Sequence, residues 1–280
     1  MNEYSYAGAV FLSDLSLDLP TAVTRAAGTC VEVRRVSERA IDQPAYTSYA
    51  VRGWQTRRPV ALGLVGGDWV AWLPPYLTAF IATEVIDVVP FPGVDDNKLN
   101  EHIVGNVLPF WLATTGRWAF HGSAASHPER GCVGVLGPTH SGKSTTAGVL
   151  AADGWVLIAD DTMTGRLVNG RVMLDSTSNT LHLRGQAMPL ADSGAVVRSG
   201  LDPEGRETVR APHLDMPVAL DRLLFLSPDA HLSHCAKRVP APAVVKRLLD
   251  NSRVAAWIDE GLRASEFEAA AAKQLRVFRP

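Results

Sequence analysis

Cysteine is scarce in this 280-residue chain. Cys30, Cys132 and Cys235 are its three, they lie far apart, and no CxxC pair occurs. That usage argues against a disulfide scaffold or a cysteine-built metal site, and it suits a reduced, cytoplasmic setting. An excess of charge is also missing: 27 Lys and Arg stand against 29 Asp and Glu, for a formal net charge of −2. Without a global basic excess, neither nucleic acid nor an anionic membrane is an expected partner. Apolar runs stop well short of the roughly eighteen residues that a membrane helix needs. The opening MNEYSYAGAV has no basic segment followed by a long apolar one, so no secretory signal is expected. Internal repeats and low-complexity stretches are absent too. What remains is an ordinary globular composition, 46% hydrophobic and 20% charged. A chain of this length can bury a core of its own, as one large domain or two smaller ones.

Two patterns divide the chain. The first ninety residues read as short strands between turns: AGAVFLSDLSLDL, TCVEVRRV, SYAVRGW and PVALGLVGGDWVAWLPP, with a hairpin at Gly66–Gly67–Asp68. Trp54, Trp69 and Trp72 serve either as core aromatics of a small β domain or as a recognition surface. Leu99, Ile103, Val104, Val107 and Leu108 then fall at helical spacing after a capping Asp95–Asp96–Asn97 start. Pro109 should kink or divide that helix, and Gly116 should stop it. The expected organisation is a β-rich N-terminal domain over 1–95 and an α/β domain over 96–280. In the second, RWAFHGSAAS, CVGVL, SNTLHLR and DRLLFLS are candidate strands, and RLVNGRVML is a hairpin around Asn169–Gly170. The tail from PAPAVV onward reads as helical.

The chemistry is concentrated in GPTHSGKS, which fits G-x-x-x-x-G-K-[ST] from Gly137 to Ser144. A loop that wraps a polyphosphate with backbone N–H groups cannot carry Cβ atoms at its tightest points, and Gly137 and Gly142 remove them. The helix that follows aims its N-terminus at the same anion. Lys143 supplies a cation to the β- and γ-phosphates, and the Ser144 hydroxyl can reach Mg²⁺. Pro138, Thr139, His140 and Ser141 complete the loop, and Thr145 follows it. The strand–loop–helix context that the motif requires is present, with CVGVL before it and STTAGVLAADG after it.

The next apolar strand, WVLIA, ends in Asp160–Asp161. One carboxylate can tend the metal or its waters and the other can take a proton from an acceptor hydroxyl, or else Asp161 merely begins and caps a turn. His121 ends the strand before the loop strand. If the two are neighbours, its imidazole lies near the phosphates. Arg206 and Arg210 either close over the site with a guanidinium or belong to a solvated loop.

His121–Gly122, then Gly137–Ser144, then a strand closing in Ala159–Asp160–Asp161 resembles the HPr kinase/phosphorylase superfamily and its smaller bacterial relatives, lasso peptide kinases among them. The resemblance implies a P-loop kinase core of the phosphoenolpyruvate-carboxykinase type, using ATP and Mg²⁺. It implies Lys143 on phosphate, Ser144 on Mg²⁺, Asp161 as the base, Asp160 as its acidic, metal-side neighbour and His121 as an active-site histidine. The bifunctional enzymes carry a later Glu-Arg-Gly-rich signature; DSTSNTLHLRGQAM and PEGRETVRAP occupy that region here. The expectation is thus a one-way, ATP-dependent serine kinase with a Ser-bearing peptide or protein as acceptor. A small hydroxy- or amino-acid kinase and a non-catalytic nucleotide-binding module are the alternatives. Self-association as a homo-oligomer is open.

Overall fold

Ala7 and Gly8 both take left-handed backbone, with φ of 53° and 74°. Two such residues in a row form the tight turn whose twist suits paired strands. They join β1 (Asn2–Tyr6) to β2 (Ala9–Ser13), with Tyr6 opposite Ala9. The strand expected from Ala7 therefore starts at Ala9, and a partner precedes it. The structure is a computed structural model that describes residues 1–22, 29–37, 49–51, 60–65, 68–183, 196–202, 205–214, 216–227 and 238–254.

Further strands are β3 (Cys30–Arg35), β4 (Tyr49–Val51), β5 (Val60–Val65), β6 (Asp68–Leu73), β7 (Leu77–Ile81) and β8 (Val85–Pro90). With β1 and β2 they form one eight-stranded sheet, ordered β1-β2-β3-β8-β7-β6-β5-β4. β5 and β6 pair antiparallel, with Val65 opposite Asp68. Gly66, Gly67 and Trp54 lie outside the described residues. Trp69 meets Phe110 edge to face, ring centroids 5.6 Å apart, and so packs as a core aromatic does.

The helical segment begins as the sequence indicates. The Asp95 carboxylate accepts the Lys98 N–H at 2.9 Å and caps α1 (Asp96–His102). Ile103–Val107 then widens into a π-turn, and α2 (Leu108–Thr114) follows without a break. Pro109 has no N–H to give the carbonyl four residues back, and the wider turn absorbs the missing donor instead of dividing the helix. Gly116, at φ 76°, closes the end: its N–H donates to Ala113 O and the Arg117 N–H to Leu112 O. These helices pack with the first sheet. The Trp111 ring lies 5.1 Å from that of Phe11, and its Nε1–H donates to Thr83 O at 3.0 Å. The described chain forms two units, Met1–Trp118 with Arg253–Val254 and Ala119–Ser252, and the helices after Asp95 lie in the first. The apolar face at Leu99, Ile103, Val107 and Leu108 is the reason, since all four are buried.

The second unit has α/β character. In chain order it runs β9 (Trp118–His127), β10 (Gly131–Leu136), α3 (Lys143–Ala152), β11 (Val156–Ala159), β12 (Thr162–Val168), β13 (Arg171–Asp175), β14 (Thr180–Leu183), β15 (Val197–Leu201), β16 (Glu207–Arg210), β17 (Val218–Ala219), β18 (Arg222–Phe225) and α4 (Ala241–Asp250). The main sheet is mixed, ordered β17-β13-β12-β9-β10-β18, with β11 also on β9. β9 and β10 are antiparallel neighbours, and β10 and β18 are parallel. Asn169 (φ 49°) and Gly170 (φ 79°) make the expected hairpin between β12 and β13. A small sheet, β14-β16-β15, shares a core with α3 through Ala147, Ala151, Leu181, Leu183 and Val209. The candidate helix after residue 240 is seen as α4, and its continuation past 254 lies outside the described residues, as does Cys235. No helix among the described residues is long and apolar enough to cross a membrane.

Trp111 joins the helices to the sheet by both ring and N–H, and it is fully buried. Trp111→Ala should lower the stability of the first unit by about 3–5 kcal/mol. Urea denaturation followed by circular dichroism measures this, and a loss under about 1 kcal/mol would show that the helices do not depend on it.

Candidate active site

The loop from Gly137 to Gly142 connects β10 to α3, so the strand, loop and helix are consecutive. Gly142, at φ 93°, turns the chain into the helix in a conformation that suits glycine. Gly137 is required for another reason. A Cβ there would lie 2.6 Å from Ser141 Oγ and 2.9 Å from Leu226 O. Lys143 is buried, and its Nζ donates to the carbonyls of Gly137 and Pro138, each at 2.9 Å. The loop thus folds over its own lysine. Two of its hydroxyls, Thr139 Oγ1 and Ser141 Oγ, are buried without a hydrogen-bond partner. Pro138, His140 and Thr145 are exposed, and His140 holds a left-handed φ of 66°.

β11 delivers the carboxylates. Thr162 N–H donates to Asp160 O at 2.8 Å, and Asp161 between them has φ 65°. That is a γ-turn of the rare, strained kind. The two side chains receive different partners. Asp160 is 5% exposed, and three donors converge on it: Ser123 Oγ at 2.6 Å, Ser144 Oγ at 2.9 Å and the His182 N–H at 3.3 Å. The Asp161 side chain is 50% exposed, and its Oδ1 lies 3.1 Å from His121 Nδ1. The same nitrogen is 3.1 Å from Asp161 O. With two acceptors before it, Nδ1 is assigned the proton. The turn reading of Asp161 holds for its backbone, while its side chain is engaged by His121.

β9 explains the division. His121 and Ser123 are two residues apart on one strand and so share a face. The first meets Asp161 and the second Asp160. The sequence reading missed Ser123, yet the spacing from His121 was a usable signal. His182 had no such signal. Its ring Nδ1 lies 3.1 Å from Asp202 Oδ2, and Asp202 also takes the backbone N–H and the guanidinium of Arg206. Arg206 is therefore paired at the β15–β16 hairpin, and Arg210 lies on β16 opposite Thr180 and Val197.

No family model matches the chain, and no curated protein matches it. A solved HPr(Ser) kinase/phosphatase from Coxiella burnetii aligns over 55% of this chain and 97% of that one, at 13% identity and a TM-score of 0.23. At that score the match carries no argument, so the chemistry rests on the geometry here.

The described residues contain no cluster of three or more His, Cys, Asp or Glu that could hold a metal. The Ser144–Asp160 pair is a partial set, of the kind Mg²⁺ accepts when phosphate oxygens and waters supply the rest.

Two outcomes are expected. Gly137→Ala should lower the stability of the second unit, because the new methyl would meet Ser141 Oγ at 2.6 Å and Leu226 O at 2.9 Å; an unchanged denaturation midpoint would contradict this. Asp202 gives a pH dependence. Burial pushes its carboxyl up, but the Arg206 hydrogen bonds and charge, with His182, hold it below the ordinary 3.8. A depressed carboxyl stabilises the fold above its ordinary value and stops doing so as pH falls through the folded value. The stability gap between the wild type and Asp202→Asn should therefore be full at neutral pH and shrink below about pH 4. Denaturation midpoints across pH measure it, and a gap independent of pH would refute the pairing.

Proposed function

We propose that the chain is an ATP-dependent kinase that phosphorylates a hydroxyl, the acceptor being a Ser side chain of a peptide or protein. The observation that carries this is the split between adjacent carboxylates: Asp160 buried against Ser144 and Ser123, and Asp161 exposed against His121. A module that only binds nucleotide has no use for a second, accessible carboxylate held by a histidine.

Each residue then has a task. Loop N–H groups and the start of α3 bind the phosphates, and Lys143 leaves its carbonyl partners to neutralise their charge. Ser144 and Asp160 would hold Mg²⁺, which when bound offsets charge on the phosphate oxygens. Asp161 takes the proton of the acceptor hydroxyl. The hydroxyl oxygen forms a bond to the γ-phosphorus, the bond from that phosphorus to the β,γ-bridging oxygen breaks, and ADP leaves. His121 Nδ1–H fixes the orientation of Asp161. Phosphoryl transfer is mainly positioning and charge neutralisation, and these parts supply both.

The test offers the protein ATP–Mg²⁺ with HPr, a Ser-containing extended peptide or free serine, and reads product mass. Phosphopeptide alone is expected, with no pyrophosphate on later addition of inorganic phosphate. Phosphoserine formed only from free serine would favour a small-molecule kinase. Lys143→Ala should reduce transfer by about a thousandfold, and Asp161→Asn should keep nucleotide binding while losing transfer. Equal loss of both in Asp161→Asn, or no transfer to any acceptor by the wild type, would overturn the proposal.

A further inference from the structure

The β9–β10 ladder ends at Gly122 opposite Leu136. The next rung would pair His121 with Gly137, but there the strands part: one carries the histidine and the other enters the loop. Their N–H groups are claimed by a single residue. Asn251, just past α4, accepts the Gly137 N–H on its side-chain Oδ1 at 3.0 Å and the His121 N–H on its backbone oxygen at 2.7 Å. Its remaining groups are used as well. Nδ2 donates to Arg247 O at 2.7 Å, and its own N–H reaches Arg247 O and Leu248 O. Ser252 continues as a bridge partner of Phe120. The helix end that presents Asn251 is itself docked, with the Arg247 guanidinium 5.5 Å from the ring centre of Phe225 and Leu248 buried. On the other side of Gly137 stands Leu226, whose N–H donates to Leu136 O at 2.7 Å.

We propose that Asn251 is a positioning residue for phosphoryl transfer, the wedge that replaces the missing rung and holds the phosphate loop and the His121–Asp161 pair in one frame. This rests on the kinase reading. The residue type follows from the bonds. Asn offers an acceptor to Gly137 and a donor to Arg247 O at once; Asp keeps the first and loses the second; Ala loses both and keeps only the backbone bonds, to His121 and within the end of α4. α4 is then part of the site, although none of its own side chains belongs to the loop or the carboxylate pair.

Amide exchange on the full, ligand-free chain tests the wedge apart from any activity. In Asn251→Ala, the Gly137 amide should exchange about tenfold faster, the loss expected for one hydrogen bond, while Val133 and Val135 within β10 stay as protected as in the wild type. Asn251→Asp should keep the Gly137 protection. With ATP–Mg²⁺ and the peptide, kcat should fall about tenfold in Asn251→Ala and recover in Asn251→Asp. Unchanged Gly137 exchange in Asn251→Ala, uniform acceleration across the second unit, or lost protection with normal kcat would each overturn the proposal. A wild type that transfers no phosphate would sink the kinase reading, and the exchange data would still decide whether Asn251 holds the fork.

Discussion

Everything at the site depends on the left-handed turn at Asp161. Consecutive residues on a strand point to opposite faces, so two adjacent carboxylates on a regular β11 would be parted by the sheet. The positive φ breaks that alternation and lets both meet the same face of β9, one at Ser123 and one at His121. A non-glycine residue in this conformation costs of order 1 kcal/mol or more and persists only where its surroundings hold it. Here they do: Gly122 N–H and His121 Nδ1 both reach Asp161 O, and Thr162 N–H closes the turn on Asp160 O.

Around that turn the parts are arranged by depth. Asp160 lies buried among hydroxyl and amide donors, Lys143 lies buried under the carbonyls of its own loop, and Asp161 is left accessible. Buried polar groups must be paired, so the inner layer is rigid by necessity. The outer strands are tied inward by a chain of contacts from Arg206 to Asp202, from Asp202 to the ring of His182, and from the amide of His182 to Asp160.

Much of this was legible in the residues, and the limits have physical causes. Asn169–Gly170, Gly116 and Asp95 were readable because turns, helix ends and caps are local: a few neighbours decide them. The loop was readable because its glycines and lysine are contiguous. Ser123 was within reach through its two-residue spacing from His121. Asn251 was not. It lies more than a hundred residues beyond Gly137, in a stretch whose local pattern says only that a helix is ending. The helices after Asp95 show a related limit: periodicity reveals that a helix has an apolar face, but not which sheet will cover it.

By itself the amino-acid sequence determined which short segments become strand, turn and helix, and it placed Gly137–Ser144 and Asp160–Asp161 at the ends of strands, because those choices follow from φ preferences and side-chain period. Only the tertiary structure decided which carboxylate is buried, which meets the histidine, and that the end of α4 bonds both His121 and Gly137 where their strands part. Those are pairings between residues distant in the chain, and their order is set by strand neighbours and packing, which no local preference encodes.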